Sequence, residues 1–360
     1  MERDLELKEW IMLSMAKGVG PVAMRKLLDE FGAPAAARRA SAATLEKIVP
    51  KETARNIKNP PPAHEKTAAA AGEWARRDGC YIITLNDKRY PFALQNIPNP
   101  PMTLYVRGAP QALLERPLIA VVGSRSASPA GVNNTEIFAR SLCESGVNIV
   151  SGLAEGIDAA AHRGALLGKG KTVAVFGTGI DIIYPKHNRT LAMDIVNQGG
   201  ALISDFPLGT PPLKENFPSR NRIISGLAKG CLVMEATKKS GSLVTALLAA
   251  EQGREVFAVP GSINAPLHRG CHKLIKEGAK LAENINDILE ELNLTPRVRE
   301  LLPPPPEAGE LLGFVDFEPT ALDAIAERSG LAASDLLADL LALEMEGKIV
   351  SAPGGGYQRV

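Results

Sequence analysis

Six short apolar runs recur along the middle of the chain, and each ends in glycine, proline or a small polar residue. Continuous apolar runs of this length are typical of strands that are buried on both faces of a sheet. The segments between them (128–145, 158–168, 188–199 and 242–252) have helical spacing, so strand and helix alternate. This alternation predicts an α/β fold with a doubly wound, Rossmann-like, mostly parallel sheet and right-handed crossovers. The runs are LIAVVGSR (118–125), NIVSGLAEG (148–156), TVAVFGTG (172–179), ALISDFP (201–207), CLVMEAT (231–237) and EVFAVPG (255–261).

Composition changes on both sides of this alternating region. An Ala-rich helical pattern precedes it and ends in a stretch punctuated by prolines from 91 to 101. Four consecutive prolines (303–306) follow it and indicate a stiff, extended linker. We therefore predict a small helical domain (1–80), a connecting arm (81–115), the Rossmann-like domain (116–292), a Pro-rich linker (293–312) and a C-terminal mini-domain (313–360).

Overall composition indicates a globular protein of the reducing cytoplasm. The chain of 360 residues is 45% hydrophobic, has a formal net charge of +1, and begins with a segment too charged for a signal peptide. No apolar run approaches the ~18 residues of a membrane span, so we expect no membrane association. The four cysteines are dispersed, which argues against a disulfide framework.

The glycine-ended strands raise the question of an anion site. Their turns would present backbone N–H groups beside helix N-termini, an arrangement that attracts phosphate. Tight turns also use glycine simply because it tolerates a positive φ, so both interpretations stay open for any single turn. Neither the G-x-G-x-x-G fingerprint nor a P-loop is present, and we predict no nucleotide cofactor. The turns are Gly123-Ser124-Arg125, Ser151-Gly152, Gly177-Thr178-Gly179 and Ser240-Gly241-Ser242.

The most informative segment runs from Lys214 to Arg222. It holds three cations, two asparagines and one phenylalanine in nine residues, and an aromatic among cations suggests base stacking flanked by phosphate contacts. Arg125 and Lys186 each follow a strand end and would join the same rim. The alternative is a helix start, with Pro218 in the first turn and Phe217 facing inward.

Catalytic and metal signatures are sparse. Asp158 and His162 share a helical face, and we expect Asp158 to bond locally with His162 against it. The cluster His268, Cys271 and His272 is too compact to converge on one ion, and no metal site is predicted. No serine or cysteine stands in a nucleophile elbow, so we expect a protein that is not an enzyme.

Taken in order, the motifs VVGSR, SGLAEGID, VFGTGID, LISDFP, FPSRNRIISGL, SGSLVTA and VFAVPG resemble the DNA-processing protein A family, DprA or Smf, across about 116–282. The flanks are similar to that family's N-terminal SAM-like helical domain and C-terminal winged-helix domain. The resemblance implies single-stranded DNA binding, loading of the RecA recombinase onto incoming strands in natural transformation and recombination, and homodimerisation through the Rossmann-like domain. It implies DNA binding by Arg125, Lys214, Phe217, Arg220 and Arg222 and, more weakly, by Lys186. With the glycine-ended turns and the segment from Lys214 to Arg222, the predicted DNA-binding residues are Gly123, Ser124, Arg125, Lys186, Lys214, Phe217, Arg220, Asn221, Arg222, Gly241 and Ser242.

An enzyme of related architecture is the alternative. Phosphoribohydrolases that cleave nucleoside monophosphates also bind phosphate at a glycine-rich turn, and their motif has a catalytic carboxylate three residues after a threonine. Here Leu248 stands three residues after Thr245, which disfavours this alternative.

The net charge conceals an acidic C-terminal segment. Residues 293–360 carry five Lys and Arg against eleven Asp and Glu, whereas residues 1–115 carry seventeen against thirteen. The predicted recognition helix of the winged-helix domain, 332–346, contains Asp335, Asp339, Glu344 and Glu346 and no cation. Because acidic side chains repel phosphates, we expect this domain to dock on protein or on the basic part of its own chain.

Overall fold

The computed structural model describes residues 2–294, 311–331, 333–352 and 355–360. Its N-terminal part is helical, and two of the longer helices, over 21–31 and 62–75, begin with proline, whose missing N–H is tolerated in a first turn. The helices are α1 (Glu2–Ser14), α2 (Pro21–Phe31), α3 (Pro34–Arg39), α4 (Ala42–Leu45), α5 (Lys51–Lys58) and α6 (Pro62–Ala75). Trp10 of α1 donates from its indole Nε1 to the carbonyl oxygen of Met102 at 2.9 Å, and this bond attaches the helices to the sheet region.

Residues 81–115, predicted as a connecting arm, are part of the main sheet. They contribute β1 (Cys80–Thr84), the short helix α7 (Phe92–Gln95) and β2 (Thr103–Gly108). β1 pairs antiparallel with β2, and β2 pairs antiparallel with a strand at 201–204. The prolines that suggested an arm are confined to the loop between the two strands, where no ladder N–H is needed.

All six predicted strands are present: β3 (Leu118–Val122), β4 (Asn148–Ser151), β5 (Thr172–Val175), β6 (Ala201–Ser204), β7 (Gly230–Val233) and β8 (Glu255–Ala258). With β9 (Lys280–Leu281) they form a nine-stranded sheet in the order β1-β2-β6-β5-β4-β3-β7-β8-β9. Every pairing from β6 through to β9 is parallel. The strands β3 to β7 are buried throughout, which explains their continuous apolar runs.

Helices cover both faces of this sheet: α8 (Pro129–Glu144), α9 (Ile157–Leu167), α10 (Arg189–Asn197), α11 (Asn216–Leu227), α12 (Ser242–Glu251), α13 (Arg269–Lys276) and α14 (Ile285–Glu291). The strand order reverses at β3: the chain proceeds through β4, β5 and β6 on one side, then crosses to β7 and β8 on the other. The predicted mostly parallel α/β architecture is thus confirmed. Loops diverge where a strand order reverses, so a crevice opens at the carboxyl ends of these strands.

The C-terminal unit is a winged-helix domain, as predicted. It contains β10 (Thr320–Ala321), α15 (Leu322–Ser329), α16 (Ala333–Met345), β11 (Ile349–Ala352) and β12 (Gly356–Arg359), with the sheet order β10-β12-β11. Its own core gathers Val315, Ile325, Leu336, Leu340 and Ile349. Most of the predicted linker 293–312 lies outside the described residues, which omit 295–310. Within the described ranges, no helix combines the length and apolarity that a membrane crossing requires.

Helices α8 and α9 pack closely because glycine lies at their contact. A β-carbon added at Gly164 of α9 would lie 2.3 Å from the carbonyl oxygen of Glu136 in α8 and 2.8 Å from its α-carbon. Both neighbours are backbone atoms, which cannot rotate away. The spacing of these two helices therefore depends on the absence of a side chain at this position.

We expect Gly164→Ala to lower the free energy of unfolding by about 1–3 kcal/mol, because the added methyl group forces the backbone of α8 to move. Chemical denaturation followed by far-ultraviolet circular dichroism measures the change. Gly72→Ala in α6 is the matched control, since no atom outside the neighbouring backbone of its own helix lies within 4 Å of its added β-carbon. That substitution should be neutral or stabilising by up to about 1 kcal/mol. Equal stability of the two variants would show that α8 accommodates the methyl group.

Candidate functional site

A crevice of about 700 Å³ opens at the carboxyl ends of β3, β4 and β7, where the strand order reverses. Its walls come from the turn after β3, the first turns of α11 and the loop into α12. Nine of the eleven predicted residues line it, namely Gly123, Ser124, Arg125, Lys214, Phe217, Arg220, Asn221, Gly241 and Ser242. Segments far apart in the chain therefore meet as the glycine-ended strands predict.

Phe217 forms the aromatic wall of the crevice. It lies in the first turn of α11, as the helix-start alternative proposed, yet its half-buried ring still faces the crevice. The ring packs against the backbone at Gly177, where an added β-carbon would lie 2.8 Å from Cδ1 of Phe217. The guanidinium carbon of Arg125 lies 5.5 Å from the ring centroid, within cation–π range.

Tyr184 is a crevice residue that the sequence analysis missed. Its ring centroid lies 5.7 Å from that of Phe217 at an interplanar angle of 46°, and the side chain is 44% exposed. The signal in the sequence was the Tyr184-Pro185 pair, but only the lysine that follows this pair was predicted as a site residue. That lysine, Lys186, is exposed and does not line the crevice. Aromatic surface here thus comes from two rings rather than one.

The exposed charged residues that line the crevice are both cations. Arg125 and Lys214 are exposed and line its wall. Lys238 and Lys239, also exposed, directly precede the lining residue Ser240 and were not predicted as site residues. Long exposed basic side chains of this kind can follow a flexible polyanion, because their stems rotate freely in water.

Arg220 differs from these cations because it is buried. Only 4% of the residue is exposed, and its Nη1 donates to the carbonyl oxygen of Gly152 at 3.0 Å and to that of Val175. Burial lowers the pKa of its guanidinium to about 10, which leaves it charged at neutral pH. Arg220 forms part of the crevice floor and connects α11 to the ends of β4 and β5, so it serves a structural purpose that the sequence did not indicate.

Asp158 complements this buried cation. Its Oδ2 accepts the backbone N–H groups of Gly152 at 3.1 Å and Ala154 at 3.4 Å. Burial raises the pKa of the carboxyl group, while the charge of Arg220 opposes that shift. A side chain at Gly152 would meet both groups, since its β-carbon would lie 2.5 Å from Nη2 of Arg220 and 2.7 Å from Oδ2 of Asp158.

His162 makes no hydrogen bond to Asp158, contrary to expectation. Its Nδ1 lies 2.8 Å from Oγ1 of Thr172, whose hydroxyl donates to the carbonyl oxygen of Ile149. Burial lowers the pKa of the imidazole to about 3, with the charge of Arg220 acting in the same direction. The ring is therefore neutral at physiological pH and packs as a structural residue.

Arg222 lies away from the crevice. Its Nη2 donates to Oδ2 of Asp205 at 2.7 Å and its Nε to the carbonyl oxygen of Asn99 at 3.0 Å. The side chain is thereby fixed against the proline-rich loop between β1 and β2. Both arginines of the Arg220-Asn221-Arg222 run are therefore bound by groups of the protein itself. Two residues apart on a helix, their side chains point in different directions, that of Arg220 toward the interior and that of Arg222 toward the loop.

Several backbone N–H groups that were expected to face a ligand are occupied within the protein. The N–H of Ser124 donates to the carbonyl oxygen of Glu235 at 2.8 Å, and that of Gly179 to the carbonyl oxygen of Thr210 at 3.0 Å. The N–H of Gly152 binds Asp158. These three N–H groups are therefore not available to an anion, whereas the exposed basic side chains of the crevice are.

Comparison with known proteins agrees with this architecture. The model of the DNA recombination-mediator protein A family matches residues 81–293, and that of the DprA winged helix domain matches residues 295–355. The chain belongs to the DNA recombination-mediator protein A family. The family match begins at the first residues of β1, so it includes the two antiparallel strands that the sequence analysis had assigned to an arm.

Three relatives of this DNA-processing family illustrate the similarity. Protein Smf of Escherichia coli is 44% identical over 296 residues, which cover 78% of each chain. The X-ray structure of DNA processing protein A from Streptococcus pneumoniae is 36% identical with a TM-score of 0.64, over 78% of this chain and 95% of that one. DNA processing protein A from Helicobacter pylori, whose structure describes its single-stranded DNA binding mode, is 30% identical with a TM-score of 0.53, over 59% and 95%.

Replacing Arg220 should destabilise the protein, whereas replacing Arg125 should not. Arg220→Met leaves two strand-end carbonyl groups without their donor and the buried Asp158 without its cation, so we expect a loss of about 3–5 kcal/mol in unfolding free energy. Arg125→Ala should change it by less than about 0.5 kcal/mol, since Arg125 is exposed. Denaturant titration of both variants measures this difference. A stable Arg220→Met variant would contradict the structural role of Arg220.

Proposed function

We propose that the crevice binds single-stranded DNA with little sequence preference. The observation that carries this proposal is the aromatic pair Phe217 and Tyr184 flanked by the exposed cations Arg125 and Lys214. Every base has a π-face, so rings of this kind stack on any sequence, while cations bind the phosphates between bases. Paired bases in a duplex are not free to stack, which favours a single strand.

Contacts inside the protein fix the walls of the crevice before single-stranded DNA binds. Phe217 rests on the backbone at Gly177, and the Arg220 network beneath holds the first turns of α11 in place. The single-stranded DNA binding described for the Helicobacter pylori relative supports the assignment. In this proposal Gly123, Ser124, Asn221, Gly241 and Ser242 shape the walls, and Lys186 contacts the strand beyond the crevice.

We also propose that the protein performs no chemical step on DNA. The two buried carboxyl groups of the described residues have internal partners: Asp158 accepts bonds from two backbone N–H groups, and Glu235 accepts bonds from Ser128. The position where a phosphoribohydrolase has its carboxylate is Leu248. The related proteins are named as DNA processing proteins, and a role in binding and delivery is consistent with that name.

Loading of RecA onto the bound strand is the biological role that we propose, together with homodimerisation through the Rossmann-like domain. The family is described as a recombination mediator, which supports a function in strand delivery. On α12, the apolar side chains Val244 and Leu247 are 41% and 59% exposed one helical turn apart. Leu247 lies outside the crevice and offers apolar surface for self-association, whereas Val244 lines the crevice.

Phe217→Ala should weaken binding of labelled oligo-dT by about 1–3 kcal/mol, because one stacked base loses its platform. Lys214→Ala should lower the slope of log affinity against log salt concentration by about 0.7, one phosphate contact. Fluorescence anisotropy across a salt series measures both changes. Duplex of equal length should bind more weakly throughout.

Two control variants test whether these effects are local. Phe92→Ala removes a 77% exposed phenylalanine outside the crevice, and Lys66→Ala removes an exposed lysine on α6. Both should bind oligo-dT like the unaltered protein. A salt slope near zero, or equal affinity for duplex, would refute the proposed mode of binding.

Addition of the protein to RecA and single strands coated with a single-strand binding protein should shorten the lag before RecA filaments form. Filament growth is followed by RecA-dependent ATP hydrolysis. Phe217→Ala should restore most of the lag, because delivery requires the bound strand. An unchanged lag with the unaltered protein would refute RecA loading without affecting the assignment of DNA binding.

A further inference from the structure

Two exposed lysines lie beside the crevice where β7 ends. Lys238 and Lys239 occupy the middle of a turn that is closed by the N–H of Ser240, which donates to the carbonyl oxygen of Thr237 at 3.0 Å. The next residues along the chain, 240–242, line the crevice. The turn therefore presents two positive charges at one rim of the crevice, and we call these lysines the β7-end pair.

Contacts with neighbouring elements hold this turn in place. At the start of α13, the N–H of Gly270 donates to the carbonyl oxygen of Ala236 at 2.7 Å. The packing there is close, because a β-carbon added at Gly270 would lie 2.8 Å from the carbonyl oxygen of Thr237. On the other side of the turn, the hydroxyl groups of Ser240 and Ser242 lie 2.6 Å apart. The two lysines thus extend from a backbone of fixed position, although their own stems can rotate.

A second pair of exposed cations lies where β5 ends. Lys186 and Arg189 stand on either side of the buried Asn188, whose Nδ2 donates to the carbonyl oxygens of Leu153 at 2.9 Å and Ala154 at 3.3 Å. Because Ala154 lines the crevice, Asn188 fixes this pair next to the wall on that side. We call Lys186 and Arg189 the β5-end pair.

Acidic side chains in the same loops are engaged within the protein or buried. Glu155 lies 3.4 Å from Nε2 of His187, and Asp181 accepts the N–H of Gly209 at 3.0 Å. Glu235, which follows β7 directly before the turn, is buried. The exposed cations of both pairs are therefore free to bind phosphates at the surface.

The strand order determines how far apart the two pairs lie. Both β4 and β3 separate β5 from β7 in the sheet, so the ends of β5 and β7 are three strand spacings, or about 14 Å, apart. At roughly 3.4 Å per nucleotide of a stacked strand, that distance corresponds to about four nucleotides. The crevice with the rings of Phe217 and Tyr184 lies between the pairs.

We propose that a single strand crosses the carboxyl edge of the sheet from one cation pair to the other, and that Lys238 and Lys239 bind its phosphates at the β7 end. This path rests on the proposed function, because it extends the site that the crevice forms. A strand of about four nucleotides fills the crevice and contacts one pair at a time, whereas a longer strand contacts both pairs at once. The site consequently selects long single strands over short ones.

The first test removes the β7-end pair and compares two lengths of oligo-dT. For a strand of about 15 nucleotides, Lys238→Ala/Lys239→Ala should lower the slope of log affinity against log salt by about 1.4, which is two phosphate contacts at about 0.7 each. For a strand of about four nucleotides, the affinity should fall by no more than about twofold, because the strand still binds with its end at the β5-end pair. Fluorescence anisotropy and competition titrations measure these values.

A control of equal charge separates the path from a general effect of net charge. Lys47→Ala/Lys51→Ala also removes two exposed lysines, but from the N-terminal helical part of the chain and outside the crevice. Its salt slope should equal that of the unaltered protein, and circular dichroism verifies that both variants are folded. An equal fall of the slope in both variants, or an unchanged slope in Lys238→Ala/Lys239→Ala, would refute the path.

A second test locates the strand directly. The native cysteines are all buried, so a benzophenone maleimide would label the new thiol of Lys186→Cys, Lys239→Cys or the control Lys66→Cys. Under ultraviolet light, the first two should cross-link to the longer oligo-dT and the control should not. A cross-link at Lys186→Cys alone would overturn the proposed path. Failure of the unaltered protein to bind any oligo-dT would instead refute the proposed function, whereas binding that depends on Phe217 but not on the β7-end pair would refute only the path.

Discussion

Arg220 places a positive charge in an almost fully buried position, and its Nη1 donates hydrogen bonds to the carbonyl oxygens of Gly152 and Val175. These oxygens terminate two neighbouring parallel strands, β4 and β5, so one side chain determines where α11 begins relative to both. Phe217 precedes Arg220 by three residues and rests on the chain just beyond β5. The position of the crevice's aromatic wall thus depends on a buried cation in its floor.

Burial also divides the other charged residues of the site into two groups. Some stabilise the structure, and others are available to bind a ligand. Buried ionic groups stay in place only where hydrogen bonds or opposite charges compensate for lost hydration. Asp158 and Arg222 satisfy this condition through contacts inside the protein. Arg125 and Lys214 remain hydrated at the surface and can exchange their counterions for a ligand's phosphates. One basic motif therefore contains both structural cations and ligand-binding cations, and their burial distinguishes them.

Positive and negative charges are also distributed unevenly along the chain. A basic body and an acidic C-terminal segment nearly cancel in the net charge of +1. The winged-helix domain has the architecture of a duplex-binding module, yet α16 presents leucines, a methionine and carboxylates where such modules present cations. Its fold alone would suggest a second DNA-binding site, whereas its surface chemistry favours a protein surface.

The sequence by itself determined the six strands of a doubly wound, mostly parallel sheet and nine of the residues that line the crevice. Buried parallel strands require continuous apolar runs, and their carboxyl ends converge in any doubly wound sheet. Only the tertiary structure decided which residues near those ends face outward. Whether Arg220 points inward and Tyr184 outward depends on contacts between segments 30 or more residues apart, such as Arg220 with Gly152. Likewise, β1 and β2 joined the sheet because β2 found the free edge of β6, a partner about 100 residues away that no local pattern identifies.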